Sequence, residues 1–396
     1  MMNLKITTGL VLMAWAAPVL LLAQDMKPTA DSPPPLAPEI RGLTQKNIAP
    51  EEADLLPDMG RGLPHSASYL RGLRVAIDPG HGGDIGPQWA GFKRGPSGLR
   101  EAVINQNTSN RLAELLREAG AEVLLIRTED IDISLADRAR MANEWQADLY
   151  VSVHHNASAR ASADYSSVWY HGTGAERPAS IDVAREMAAS LVTWMRPGEP
   201  QHSGIYSDFL MYESGFGVLR MTEMTAVLAE CSFYTHPPEE DRLAMEAYND
   251  RMAATLFLGL CEWARAGIPR WEITAAAEDA SATQSLTVEL DDAVPQRWGR
   301  EVLRHFPGSL RVTVNGEDIT PPEEEALDKT IELTAPLLFD TSTTRTLDVR
   351  FQNRNKNSAI TPPKTLAPGQ SWAALVVEKP EPEEDRRGRG RGRGRD

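Results

Sequence analysis

Four residues of this 396-residue chain have the types and the settings for hydrolytic metal chemistry: His81, Glu101, His154 and Glu230. His81 follows the apolar run Val75-Ala76-Ile77 and the break Asp78-Pro79-Gly80. His154 closes the apolar run in DLYVSV, Glu230 closes AVLAE, and Glu101 opens a helical pattern after the glycine-rich RGPSGLR. Two neutral imidazoles and one carboxylate form the donor set of a three-ligand catalytic zinc site with one position left for water. A second carboxylate, not a ligand, is then needed to take and return protons. We assign His81, Glu101 and His154 to the metal and Glu230 to the acid/base role. Spacing alone leaves open the assignment that exchanges the two glutamates.

These residues can converge only if the right elements deliver them. From Leu73 to about Ile268 short apolar strands alternate with helical patterns. Strands are expected at 74–78, 122–127, 148–153, 168–170 and 226–230. Helices are expected at 101–119, at 135–145 behind a Ser134 cap, at 183–195, and as one long helix over 241–266. That alternation predicts an α/β domain with a mostly parallel sheet flanked by helices. Strand ends in such sheets gather ligands and reactive groups at the carboxyl edge, which is where His81, His154 and Glu230 fall.

Beyond a polar, alanine-rich stretch at 270–284, expected as a linker, the period switches to two. SLTVEL, SLRVTVNG, the run through Leu347, Val349 and Phe351, and 372–377 all alternate, and Asn315-Gly316 is a hairpin signal. A small C-terminal all-β, sandwich-like domain over 285–379 follows from this. The remaining 380–396 is low in complexity, and its six arginines, spaced by glycine, are expected to form a disordered tail.

At the other end, Lys5, the apolar run Leu10–Leu22 and Ala23 before Gln24 read as a secretory signal peptide over 1–23. This predicts a periplasmic or secreted, envelope-associated protein with no transmembrane span after cleavage. A Pro-rich linker is expected over 24–72. The net charge of −15 argues against nucleic acid as partner, while the Arg-Gly tail could make electrostatic contact with an anionic envelope. Cys231 and Cys261 are the two cysteines, too few for a disulfide framework, and their pairing is left open.

RVAIDPGHGG, LREAVINQNTSNRLAELLREAG, LADRARMANEWQADLYVSVHHNAS and VLAECSFYTHPPEE, in this order, resemble the zinc-dependent N-acetylmuramoyl-L-alanine amidases of the amidase 3 type over about residues 73–266. The resemblance implies Zn2+ on His81, Glu101 and His154 and a catalytic Glu230. It also implies hydrolysis of the amide between the muramic lactyl group and L-alanine of peptidoglycan, in wall remodelling or cell separation. A zinc carboxypeptidase or endopeptidase acting on wall peptides, and a catalytically idle peptidoglycan-binding protein, are the competing functions.

The chain departs from the family pattern at 83–101, at 156–166, and at Cys231 and Ser232, which stand where relatives often have a small residue and glycine. Its 83–101 connection is longer and carries Trp89, Phe92, Lys93 and Arg94, either a groove wall for glycan or peptide or simply a longer loop. The 156–166 segment is too short for the plugging helix of some relatives, which predicts an open site. Arg138 matches a family position and is read as structural, pairing with an acid or a helix end, and His155, which points away from His154, as packed or exposed rather than a ligand.

Overall fold

The computed structural model describes residues 62–195, 197–280, 282–294, 305–323 and 329–377. The expected signal peptide, most of the Pro-rich linker and the Arg-Gly tail lie outside them. Two units are present, the first comprising described residues 62–269, 292–294 and 351–362, the second 270–291, 305–350 and 363–377.

In the first unit the strands are β1 (Arg74–Pro79), β2 (Glu122–Leu125), β3 (Leu149–Asn156), β4 (Ser167–Tyr170), β5 (Gly204–Ser207) and β6 (Thr225–Phe233). They form one sheet in the order β2-β1-β3-β6-β4-β5. β2, β1, β3 and β6 run parallel, and β4 enters antiparallel to β6. The helices are α1 (Glu101–Glu118), α2 (Leu135–Glu144), α3 (Pro178–Met195), α4 (Gly217–Met221), α5 (Pro237–Leu243) and α6 (Glu246–Arg265). One face of the sheet packs Ile77, Val151 and Val227 with Leu112, Met187 and Leu256 of α1, α3 and α6. The other packs Ala76, Tyr150 and Leu228 with Ala142 of α2 and Leu219 of α4. The mostly parallel, helix-flanked architecture expected from the strand–helix alternation is therefore present. Among the described residues no helix is long and apolar enough to cross a membrane.

Several boundaries differ from the sequence expectation. His65–Leu70, placed in the linker, forms a 3₁₀ helix whose Ala67 and Leu70 enter the core; two short turns with i,i+3 spacing give too little periodicity to register. The long helix expected over 241–266 is two, because Met245 is extended and Asn249 Nδ2 donates to the carbonyls of Leu243 and Met245, ending α5 and starting α6. β5 went unread, being four residues long and only half-buried at the sheet edge.

The second unit contains β7 (Arg270–Ala277), β8 (Ser285–Asp291), β9 (Arg311–Val314), β10 (Glu317–Asp318), β11 (Thr330–Leu333), β12 (Arg345–Arg350) and β13 (Lys364–Leu366). They make a three-stranded sheet, β11-β8-β7, and a four-stranded one, β10-β9-β12-β13. β7 occupies the expected linker: Trp271 and Ile273 are buried in alternation, a pattern masked by the alanines that follow. Asn315 and Gly316 turn β9 into β10 with φ of 51° and 84°, the left-handed pair that this hairpin requires. Trp372–Leu375, expected as strand, is a 3₁₀ helix started by the Ser371 side chain. Residues 351–362, which lie inside the range expected for the β domain, fold with the first unit, where Ile360 joins the core and Asn357 Nδ2 donates to Trp263 O and Gly267 O.

Candidate active site

The turn that presents His81 leaves three carbonyls without ladder partners, and two arginines satisfy them. Arg138 donates to Pro79 O and His81 O and forms a buried ion pair with Asp78 at 2.6 Å. Arg127 donates to Pro79 O, Gly80 O and Ala102 O, tying the turn to the first turn of α1. Tyr150 Oη and Ser152 Oγ donate to the other oxygen of Asp78. Burial pushes the Asp78 carboxyl up, but the Arg138 guanidinium and the Tyr150 hydroxyl outweigh it and hold it below its ordinary value. His81 itself has a φ of 59°, a left-handed conformation uncommon for a residue with a side chain. The structural role expected of Arg138 is thus met, whereas Arg127 was read only as the end of a strand.

Glu101 sits on the first residue of α1, 2% exposed, between the two imidazoles. Its Oε2 lies 3.1 Å from His81 Nε2, and its Oε1 lies 3.1 Å from His154 Nδ1. Oε1 also accepts from the His155 backbone at 3.2 Å and from Asn105 Nδ2 at 3.3 Å. Asn105 in turn donates to Gly80 O and has its Oδ1 2.9 Å from His155 Nδ1. Of the two placements left open for His155, packed or exposed, the structure has it packed, and burial pushes its pKa down to about 4, keeping it neutral. Asn105 was missed in the sequence; its i+4 spacing from Glu101 on a helix puts the two on one face.

His154 lies against Gly80. A Cβ on Gly80 would fall 2.3 Å from two atoms of the His154 ring, so the glycine of Asp-Pro-Gly is required by the neighbouring imidazole. The rings of His81 and His154 meet edge to face with centroids 4.7 Å apart. One donor atom from each of His81, Glu101 and His154 lies within 4.8 Å of the others. Two imidazoles and a buried carboxylate at that spacing fit a zinc ion.

Glu230 is next to this cluster but not part of it. β3 and β6 are parallel and pair His154 with Glu230 in register, so both side chains stand on the same face of adjacent strands. A bulge follows at once, with Asn156 pairing Phe233, an irregularity of the kind that re-aims side chains beside active sites. Glu230 Oε2 is shielded from solvent and has no hydrogen-bond partner among the described residues. Burial raises its carboxyl to about 7. A half-buried carboxylate with one shielded oxygen lacking a partner among the described residues, poised near neutrality, has the properties of a general base.

Lys93, in the long 83–101 connection, reaches to 3.9 Å from Glu101 Oε2. A cavity of 230 Å³ opens beside His81 and His154, walled by Ile133, Leu135 and Val218. No helix occurs between β3 and β4. Cys231 and Cys261 are both buried and unpaired.

The family model described as N-acetylmuramoyl-L-alanine amidase matches residues 75–262. An uncharacterized protein of Bacillus subtilis, YqiI, is 32% identical over 198 residues, covering 49% of this chain and 86% of that protein. The N-acetylmuramoyl-L-alanine amidase CwlM of Bacillus licheniformis is 29% identical over 184 residues, 46% of this chain and 64% of its own length. Among solved structures, an N-acetylmuramoyl-L-alanine amidase from Clostridium difficile 630 is 31% identical, with 49% of this chain and 97% of that one covered and a TM-score of 0.43.

Proposed function

The chain belongs to the N-acetylmuramoyl-L-alanine amidase family, a family of peptidoglycan hydrolases, and we propose that it acts with zinc held by His81, Glu101 and His154 and with Glu230 as the proton-transferring group. The observation that supports this most is the register of β3 and β6, which sets Glu230 beside His154 while its Oε2 has no hydrogen-bond partner among the described residues. Zinc bound there would supply a Lewis acid for the scissile carbonyl and the attacking water.

The chain's own groups do the rest. The bond broken joins the lactyl carbonyl carbon of muramic acid to the nitrogen of L-alanine. Glu230 takes a proton from the attacking water as its oxygen bonds to that carbon. The same carboxyl then returns the proton to the alanine nitrogen as the C–N bond breaks, leaving a lactyl carboxylate and a free amino end. Arg127 and Arg138 hold the His81 turn, and Asn105 with the His155 backbone fixes Oε1 of Glu101. Oε2, facing His81, is the freer oxygen for a metal.

An enzyme acting on the wall works outside the cytoplasm. The apolar leader at 1–23 supports export to the periplasm or beyond, and the linker, β unit and Arg-Gly tail would act as tether and envelope contact. The test is digestion of purified peptidoglycan by the full chain, with and without a zinc chelator, followed by mass analysis. New L-alanine amino ends and peptide-free glycan, both lost with chelator, are expected. New ends elsewhere in the peptide would point to a peptidase, and binding without cleavage to an idle module.

A further inference from the structure

Glu240 of α5 is a fully buried carboxylate that the chemistry above does not use. No ion pair of Glu240 is found among the described residues. Its oxygens are turned instead onto the connection that leads to Glu101. Ser97 N–H donates to both, at 2.9 and 2.8 Å, Ser97 Oγ donates to Oε1 at 2.7 Å, and Leu99 N–H donates to Oε1 at 3.2 Å. Gly95 lies so close that a Cβ there would fall 2.3 Å from Glu240 Oε1 and 2.6 Å from Tyr234 O.

The clamped segment is short and stiff. Gly95 N–H donates to Leu99 O, Arg94 bridges to Arg100, and Glu101 N–H donates to Lys93 O, so 93–101 closes on itself as a small loop whose base is Glu101. α1 begins there without a capping side chain, since Arg100 makes no cap hydrogen bond. The position of the first turn of α1 is therefore set by this loop, and the loop is fastened to the element that follows Glu230 in the chain. One carboxylate links the two halves of the site.

We propose that Glu240 is a positioning residue that holds Glu101 in place for the metal by clamping residues 95–99. This rests on the reading of Glu101 as a zinc ligand. Partners hydrogen-bonded directly to metal ligands govern metal affinity by about 10–100-fold; Glu240 acts one step further out, through the loop that carries Glu101, and its effect is expected in binding itself on that scale.

The experiment measures zinc affinity of the full chain by competition with a chromogenic chelator, alongside thermal unfolding without metal. Glu240→Ala should weaken zinc about 10–100-fold. Glu240→Gln, whose oxygen can keep the three contacts made by Oε1, should fall between it and the wild type. Ser97→Ala, at an exposed position and lacking only the hydroxyl contact, should lose least. If Glu240→Ala does not fold, the order of Gln, Ser97→Ala and wild type decides the matter. Zinc affinity unchanged in the folded variants, with only the melting temperature lowered, would reduce Glu240 to a structural residue and overturn the proposal. Wild-type affinity in Glu101→Ala would instead overturn the ligand reading beneath it.

Discussion

His154 and Glu230 face each other in register on adjacent parallel strands, one inside the His81–Glu101–His154 cluster and the other just outside it. This pairing divides the labour between the two glutamates. Glu101 is buried with both oxygens engaged by imidazoles, and burial, which pushes its carboxyl up, is overcome by His81 and His154, so it is held well below the ordinary glutamate range. Glu230 has a solvent-shielded oxygen without a hydrogen-bond partner among the described residues, and its carboxyl is raised. Two carboxylates pushed apart in this way mark a permanent anion and a proton carrier.

The pH dependence of the reaction should report that raised carboxyl. Glu230 must be ionised to accept a proton, so kcat/KM should climb as pH rises through its pKa. A bound cation favours the ionised form, which places the limb between the ordinary 4.5 and the value of about 7. A rate profile in which the acidic limb survives unchanged in Glu230→Gln would assign the limb to another group.

Arg138 should matter for stability more than for chemistry. Arg138→Met would leave Asp78 as a buried charge without its partner and strip donors from Pro79 O and His81 O. Removing one member of a buried pair costs about 3–5 kcal/mol, readable from urea unfolding. The sign with pH is fixed as well. Because the folded Asp78 carboxyl lies below its unfolded value of 3.8, its contribution is complete above that value and is lost as pH falls through the folded pKa. In Arg138→Met that acid-side loss should vanish.

Gly80→Ala is expected to act on the metal site alone. The added methyl would meet the His154 ring at 2.3 Å, and the ring, at the far end of a side chain, is what can move. Zinc affinity should fall about 10–100-fold, the size seen when ligand orientation is disturbed, with the far-ultraviolet circular dichroism unchanged. Retained affinity would show that the ring has a second productive position.

Much of this site was legible before any fold was known, for a physical reason. A residue at the carboxyl end of an apolar strand is placed by the strand, so His81, His154 and Glu230 could be located by pattern alone. The residues that hold them could not. Arg127 acts through bonds to backbone carbonyls of Pro79, Gly80 and Ala102, which any sequence possesses. Glu240 acts on the amides of Ser97 and Leu99 more than a hundred residues earlier in the chain. Contacts to backbone leave no partner signature to read. The polar run 351–362 carries no periodicity that says which unit it packs with, and the structure groups it with the first.

Glu230 and the three ligands have separate roles, and one paired measurement tests that directly. Zinc content and peptidoglycan cleavage would be determined together for the wild-type chain, Glu230→Gln and His81→Ala. One zinc per chain is expected in the wild type and in Glu230→Gln, with cleavage in the latter reduced about 10²–10⁴-fold, the usual loss of a general acid–base group. His81→Ala should lose both metal and cleavage. Loss of zinc from Glu230→Gln, or full cleavage without metal, would contradict the account.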